Sequence, residues 1–238
     1  MIRRGERGPS YQKEAASAAG RSATKASTRA WIGLASLGAL ALLAVPAVGD
    51  ALFAHESATL DWDVQRWILA HRQPRLVTVF FVITTLGGIT GMRVLAVLGA
   101  LDLWRRGQRR GAACVLGATV AAFGLFTLLK RLYARGRPPV LDGSMADDYS
   151  FPSGHATMSA AVCCTLAYLY WRLGLVRGRP AIVLMILLPL AVGISRIYLD
   201  VHWATDVFGG WTVGLLVALL AAALCDPEPR SPAPLLDR

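Results

Sequence analysis

The 238-residue sequence predicts an all-α protein, a six-helix transmembrane bundle with a short interfacial helix in its first outer loop. Two observations carry that expectation. Hydrophobic residues make up 55% of the chain, mean hydropathy is +0.47, and the apolar residues arrive in long blocks instead of helical stripes. Such blocks, about 17–25 residues long, match the hydrocarbon core of a bilayer. They lack the polar face every three or four residues that marks an amphipathic soluble helix. The second observation is where the charge lies. The basic residues behind a formal net charge of +10 fall between the blocks, as they do in loops that set membrane orientation. They line no single helix face and accompany no recognition motif, so nucleic acid is not expected as a partner.

Residues 1–30 are rich in Ala, Ser, Gly and Arg and contain no apolar run. Arg3, Arg4, Arg7, Lys13, Arg21, Lys25 and Arg29 stand against Glu6 and Glu14 alone. This reads as a disordered, basic cytoplasmic tail. An Arg- and Ser-rich leader also fits an organellar transit peptide, but the charge equally serves to orient the helix that follows. The transmembrane domain is expected over 31–225, and 226–238 as a short cytoplasmic tail.

Six apolar segments are expected at 31–49, 76–104, 111–129, 155–171, 180–197 and 204–224. Gly87, Gly88 and Gly91 interrupt the second, so its first part suits a shorter interfacial helix. Arg93 there is expected near a helix end or snorkelling. Between the first two segments, residues 60–73 place Trp62, Val64, Trp67, Ile68 and Leu69 among charges. They read as the interfacial helix, a surface anchor whose tryptophans settle at headgroup level. His55 and His71 have no evident partner in that loop. Cys114, Cys163, Cys164 and Cys225 lie in or at the end of apolar blocks without zinc or redox spacing, and read as small hydrophobes.

The short loops give the orientation. Arg105, Arg106, Arg109 and Arg110 follow the second segment; Arg172, Arg177 and Arg179 follow the fourth. Both loops and both termini are therefore expected inside. The outer side receives 50–75, 130–154 and the link near 196–203. The loop 130–154 breaks the rule, because Lys130, Arg131, Arg135 and Arg137 make it basic. Cations retained on the disfavoured side point to another task. Asp142, Asp147 and Asp148 in the same loop read as solvated.

Three clusters gather at these outer ends: Lys130 with Arg137 and Pro138; Pro152-Ser153-Gly154-His155; and Ser195-Arg196 with His202 and Asp206. Three cations beside a membrane call for a shared anion. Guanidinium groups grip phosphate oxygens in pairs, and lysine adds a point charge. Ser153 and Gly154 begin a helix, where free N–H groups and the dipole favour an anion, although Ser153 also suits an ordinary cap. His202 and Asp206, four residues apart, share a helix face if the sixth segment has begun there. A carboxylate on Nδ1 leaves Nε2 free to attack, and His155 is placed to protonate a leaving oxygen and then deprotonate water. An i, i+4 His/Asp pair also occurs in metal sites, but the surroundings hold too many cations and too few carboxylates. No metal or other cofactor is expected.

In residue type, spacing and order, Lys130–Pro138 (KRLYARGRP), Pro152–His155 (PSGH) and Ser195–Asp206 (SRIYLDVHWATD) resemble the three-part signature of the type 2 phosphatidic acid phosphatase superfamily. The similarity spans roughly residues 76–224. It implies a metal-independent six-helix membrane phosphatase with His202 as nucleophile, Asp206 as its orienter and His155 as general acid. It implies phosphate binding by Lys130, Arg137, Ser153, Gly154 and Arg196, with Ser195 supporting its loop. The related vanadate-dependent haloperoxidases are soluble, and the apolar blocks argue against that branch. The implied partners are the bilayer and a lipid phosphate: polyprenyl diphosphate, phosphatidylglycerophosphate or phosphatidate, with a lean towards the first. The implied setting is a bacterial inner membrane with the site outside. Transfer to a lipid acceptor instead of water stays open, as does the oligomeric state. A transporter is disfavoured because the charges sit at one face.

Overall fold

In a computed structural model of the protein, the described residues are Gly33, 56–139, 149–175 and 179–224. The tails, the first expected span at 31–49 apart from Gly33, and the acidic stretch at 142–148 lie outside them. The described elements are all helices: α1 (Glu56–Ala70), α2 (Pro74–Leu86), α3 (Ile89–Arg105), α4 (Arg109–Tyr133), α5 (Gly154–Arg172), α6 (Arg179–Tyr198) and α7 (Ala204–Leu224). By length and composition α4 and α7 are able to cross a membrane, and α2 with α3, bent by 46° at the break between them, is apolar enough as a pair for a broken span or a re-entrant loop. α6 contributes the shorter apolar stretch Ile182–Tyr198.

The helix α5 forms the axis of the bundle. It packs against α4, α6 and α7 and also touches α3. Thirteen of its 19 residues are buried, among them Thr157, Ser159 and Thr165. The surroundings of α5, expected as the apolar segment 155–171, are thus other helices, where small and polar side chains pack closely. A Cβ on Gly210 of α7 would lie 2.7 Å from the Ser153 carbonyl oxygen, and one on Gly214 would collide with that of Thr157. The two backbones are in direct contact. The bundle's outer faces carry exposed apolar side chains such as Val120 (72%) and Leu184 (66%), which suits hydrocarbon and not water.

The glycine interruption in the second apolar segment has a steric origin. A Cβ at Gly87 would collide with Val192 of α6, and one at Gly88 would lie 3.1 Å from His155 Nε2. The bend between α2 and α3 thus brings bare backbone against α6 and makes room for an imidazole on α5. In α6, Pro189 removes one helical donor, and its own carbonyl accepts the Trp211 Nε1–H of α7 at 2.9 Å.

Candidate active site

Five local devices bring the functional side chains to one end of the bundle. α4 ends when Ala134 turns left-handed at φ 45°, its N–H returning to the Lys130 carbonyl at 3.0 Å, a common way to stop a helix. The chain then runs past Arg135 and Arg137. Ser153 stands at the N-cap of α5. α6 ends in a turn where Asp200 takes φ 61°. α7 opens with Trp203 as its N-cap, and Asp206 at the third helical position accepts the Trp203 N–H at 2.9 Å. That is the returning half of a capping box. Finally, the Ser153 N–H donates to the Asp206 carbonyl at 2.9 Å, which joins the second cluster to the third.

The structure places all eight expected residues around this end. His202 and Asp206 are buried at 3% and 0% exposure, with Nδ1 3.4 Å from Asp206 Oδ2. The contact is long for a hydrogen bond, but its direction assigns the ring: Nδ1 faces the carboxylate and Nε2 faces away. Arg137 Nη1 lies 3.4 Å from that Nε2 and donates to the Val201 carbonyl at 2.6 Å. An atom attacked by Nε2 would have a guanidinium beside its oxygens. His155 is partly buried on α5, and the charges acting on it are Arg196, His202, Arg137 and Lys130. Lys130 is buried at 7% exposure and donates to the Tyr149 carbonyl.

Two donors at the site are orphaned. Ser153 Oγ is fully buried, makes no capping bond, and has no hydrogen-bond partner among the described residues. The expected plain cap is therefore absent. Arg196 donates Nη1–H to Thr84 Oγ1 at 2.9 Å, while its buried Nε is unsatisfied. A buried polar group without a partner costs about 1–3 kcal/mol, so such atoms call for an explanation. An anion bound at this end of the bundle would supply one. Gly154 places its backbone against the Phe126 ring, where a Cβ would lie 3.0 Å away, so the chain passes with little clearance. Ser195 is buried and bonds the Val192 carbonyl at 2.6 Å, a contact within its own helix.

Sequence reasoning missed a second layer. Arg135 bridges two carboxylates, donating to Asp206 Oδ1 and Asp61 Oδ2 at 2.7 Å each. Burial opposes its charge, yet Asp206 and Asp61 outweigh that and hold its pKa above the usual guanidinium value. Asp61, 2% exposed, also accepts the Thr205 N–H at 3.0 Å and the Thr205 hydroxyl at 2.6 Å. Ser150 Oγ approaches Asp206 Oδ1 at 3.4 Å. Gln65 donates to Asp200 Oδ1 at 2.7 Å, and burial raises the pKa of Asp200 against the pull of Gln65 and Arg72. The Trp62 edge meets Trp203 at 5.0 Å between centroids. The helix expected as a surface anchor thus carries buried polar contacts to the site. Arg135 had a visible signal, being a cation in the loop expected on the disfavoured side; Asp61 and Gln65 had none.

The profile of the PAP2 superfamily matches residues 111–228. Phosphatidylglycerophosphatase B of Bacillus subtilis is 32% identical over 178 residues, covering 71% of this chain and 85% of that protein. Decaprenylphosphoryl-5-phosphoribose phosphatase of Mycobacterium tuberculosis is 34% identical over 134 residues, covering 55% and 69%. A crystal structure of a transmembrane PAP2-type phosphatidylglycerolphosphate phosphatase from Bacillus subtilis is similar with a TM-score of 0.71 and 28% identity, over 80% of this chain and 96% of that one.

Proposed function

This chain belongs to the PAP2 superfamily and is a membrane-embedded phosphatase, and on that footing we propose that it hydrolyses the phosphomonoester or diphosphate of a membrane lipid through a phosphohistidine. The observation that carries the reading is the pair of orphaned buried donors, Ser153 Oγ and Arg196 Nε, at the end of the bundle where Lys130, Arg137, His155 and His202 meet.

In this mechanism the phosphate oxygens sit among Lys130, Arg137, Arg196, Ser153 and the first N–H groups of α5 at Gly154. His202 Nε2 attacks phosphorus in line with the leaving oxygen, and His155 delivers a proton to that oxygen. Asp206 holds the Nδ1 proton and offsets the positive charge that the ring gains. Water, deprotonated by His155, then displaces the phosphate from His202 and regenerates the ring. The fixed cations stabilise the charge of the five-coordinate phosphorus without rearranging. No step calls on a metal.

The substrates consistent with this site are polyprenyl diphosphates, phosphatidylglycerophosphate and phosphatidate, since the named contacts all address phosphate and none reads the lipid. The distribution of basic loops supports an inner-membrane protein with cytoplasmic termini and an outward-facing site. The test is purified enzyme against a panel of these lipids, with released phosphate measured and a brief acid-quenched reaction with radiolabelled substrate mapped by peptide. Label on His202 is the expected result. Stable label on another residue would overturn the mechanism, and absence of phosphate release from the whole panel would overturn the substrate class.

A further inference from the structure

We propose that α1 belongs to the catalytic apparatus, with Asp61 and Arg135 as positioning residues that set the charge and orientation of the Asp206–His202 pair; the proposal rests on His202 being the nucleophile.

The geometry divides the Asp206 carboxylate between two tasks. Oδ1 takes Arg135 at 2.7 Å, and Oδ2 faces the Trp203 N–H at 2.9 Å and His202 Nδ1 at 3.4 Å. Arg135 in turn is shared, with Nη2 on Asp61 and Nη1 also donating to Thr205 Oγ1 at 2.7 Å. Asp61 meanwhile caps α7 from outside, accepting the Thr205 N–H. A carboxylate at that position satisfies a free helical donor and complements the dipole. One cation therefore stands between two acids, and each acid limits how strongly the cation draws on the other. Gln65 on Asp200 and Trp62 on Trp203 hold the same helix against the turn that carries His202.

A helix cap alone would contribute stability and nothing more. The shared guanidinium predicts an additional effect on titration. Without the Asp61 charge, Arg135 belongs to Asp206 alone, and Asp206 supports the His202 imidazolium less; the ring then loses its proton at lower pH. Without the Arg135 charge, Asp206 supports the imidazolium more, and the proton leaves at higher pH. The other charged and titratable groups near the pair are Arg137 from the loop after α4 and His155 from α5, and Arg196 of α6 and Lys130 of α4 act in turn on His155. All of them are unchanged in both variants.

The experiment measures kcat and KM for a lipid phosphate across pH in Asp61→Asn, Arg135→Gln and the double variant, with Asp63→Asn on the exposed side of α1 as control. The single variants should lower kcat by about tenfold or more while KM changes less than about threefold, a positioning defect. The acid limb of kcat should move down in Asp61→Asn and up in Arg135→Gln, each by about half a unit or more. The double variant should return towards the wild-type limb, and Asp63→Asn should not move it. If Asp61→Asn does not fold, Arg135→Lys should keep the limb near wild type while Arg135→Gln raises it. Limbs that stay put, or that move in the same direction in both charge variants, overturn the positioning role while label on His202 leaves the nucleophile standing. Label elsewhere in the wild type overturns both.

Discussion

Replacing Ser153 with alanine separates a binding residue from a structural one, because the two roles predict opposite changes in stability. The Ser153 hydroxyl is fully buried and bonds nothing among the described residues. A side chain placed to hold the fold together would lose stability on truncation, by about 1 kcal/mol for a helix cap. An orphaned hydroxyl has no such bond to lose, and removing it relieves a desolvated polar atom. Ser153→Ala should therefore unfold at the wild-type temperature or slightly above it. In the proposed mechanism the same hydroxyl donates to a charged phosphate oxygen, and a bond of that kind contributes about 1.5–3 kcal/mol. Its loss should lower kcat/KM by about 10- to 150-fold. The assay pairs phosphate release in detergent micelles with a thermal melt of the same preparation. A lower melting temperature with near-normal kcat/KM would refute the reasoning, since it would make Ser153 a cap and leave the anion site without its central donor.

Three further outcomes follow from the same geometry. His155→Ala should slow phosphomonoesters more than diphosphates, because an alkoxide needs the proton more than a phosphate does; equal losses on both would remove His155 as the acid. EDTA should leave phosphate release unchanged, and inhibition that added magnesium reverses would overturn the metal-free mechanism. Gly214→Val should lower the melting temperature, with a cost of about 1–3 kcal/mol or more, because its side chain would meet the Thr157 carbonyl of α5; an unchanged melt would show that the α5–α7 contact yields easily.

What the sequence made legible was whatever travels in short segments. Lys130 to Arg137, Ser153 to His155, and Arg196 to Asp206 each lie within a dozen residues, and each falls at the end of an apolar block, so their chemistry and their common location were readable together. Contacts that close over long distances in the chain were not. Asp61 reaches Arg135 across 74 positions and Thr205 across 144. The polar face of an amphipathic helix has the same pattern whether it meets headgroups or a buried carboxylate, and residues 60–73 were accordingly expected as a surface anchor. The glycines at 87 and 88 were visible as an interruption, but their reason, the proximity of Val192 and His155, belongs to other helices. The segment 155–171 was legible as an apolar block, but that Thr157, Ser159 and Thr165 within it are buried against other helices was not.

The burial of α5 has a consequence for how the enzyme lives in different membranes. Bilayers differ by several ångströms in thickness, and helices that touch lipid respond by tilting or bending. The helix that carries Ser153, Gly154 and His155 is encased by its neighbours along most of its length, and its height is fixed by glycine contacts to α7. Lipid thickness then acts on the periphery, while the proposed phosphate cradle keeps its shape on a rod insulated from the solvent around it.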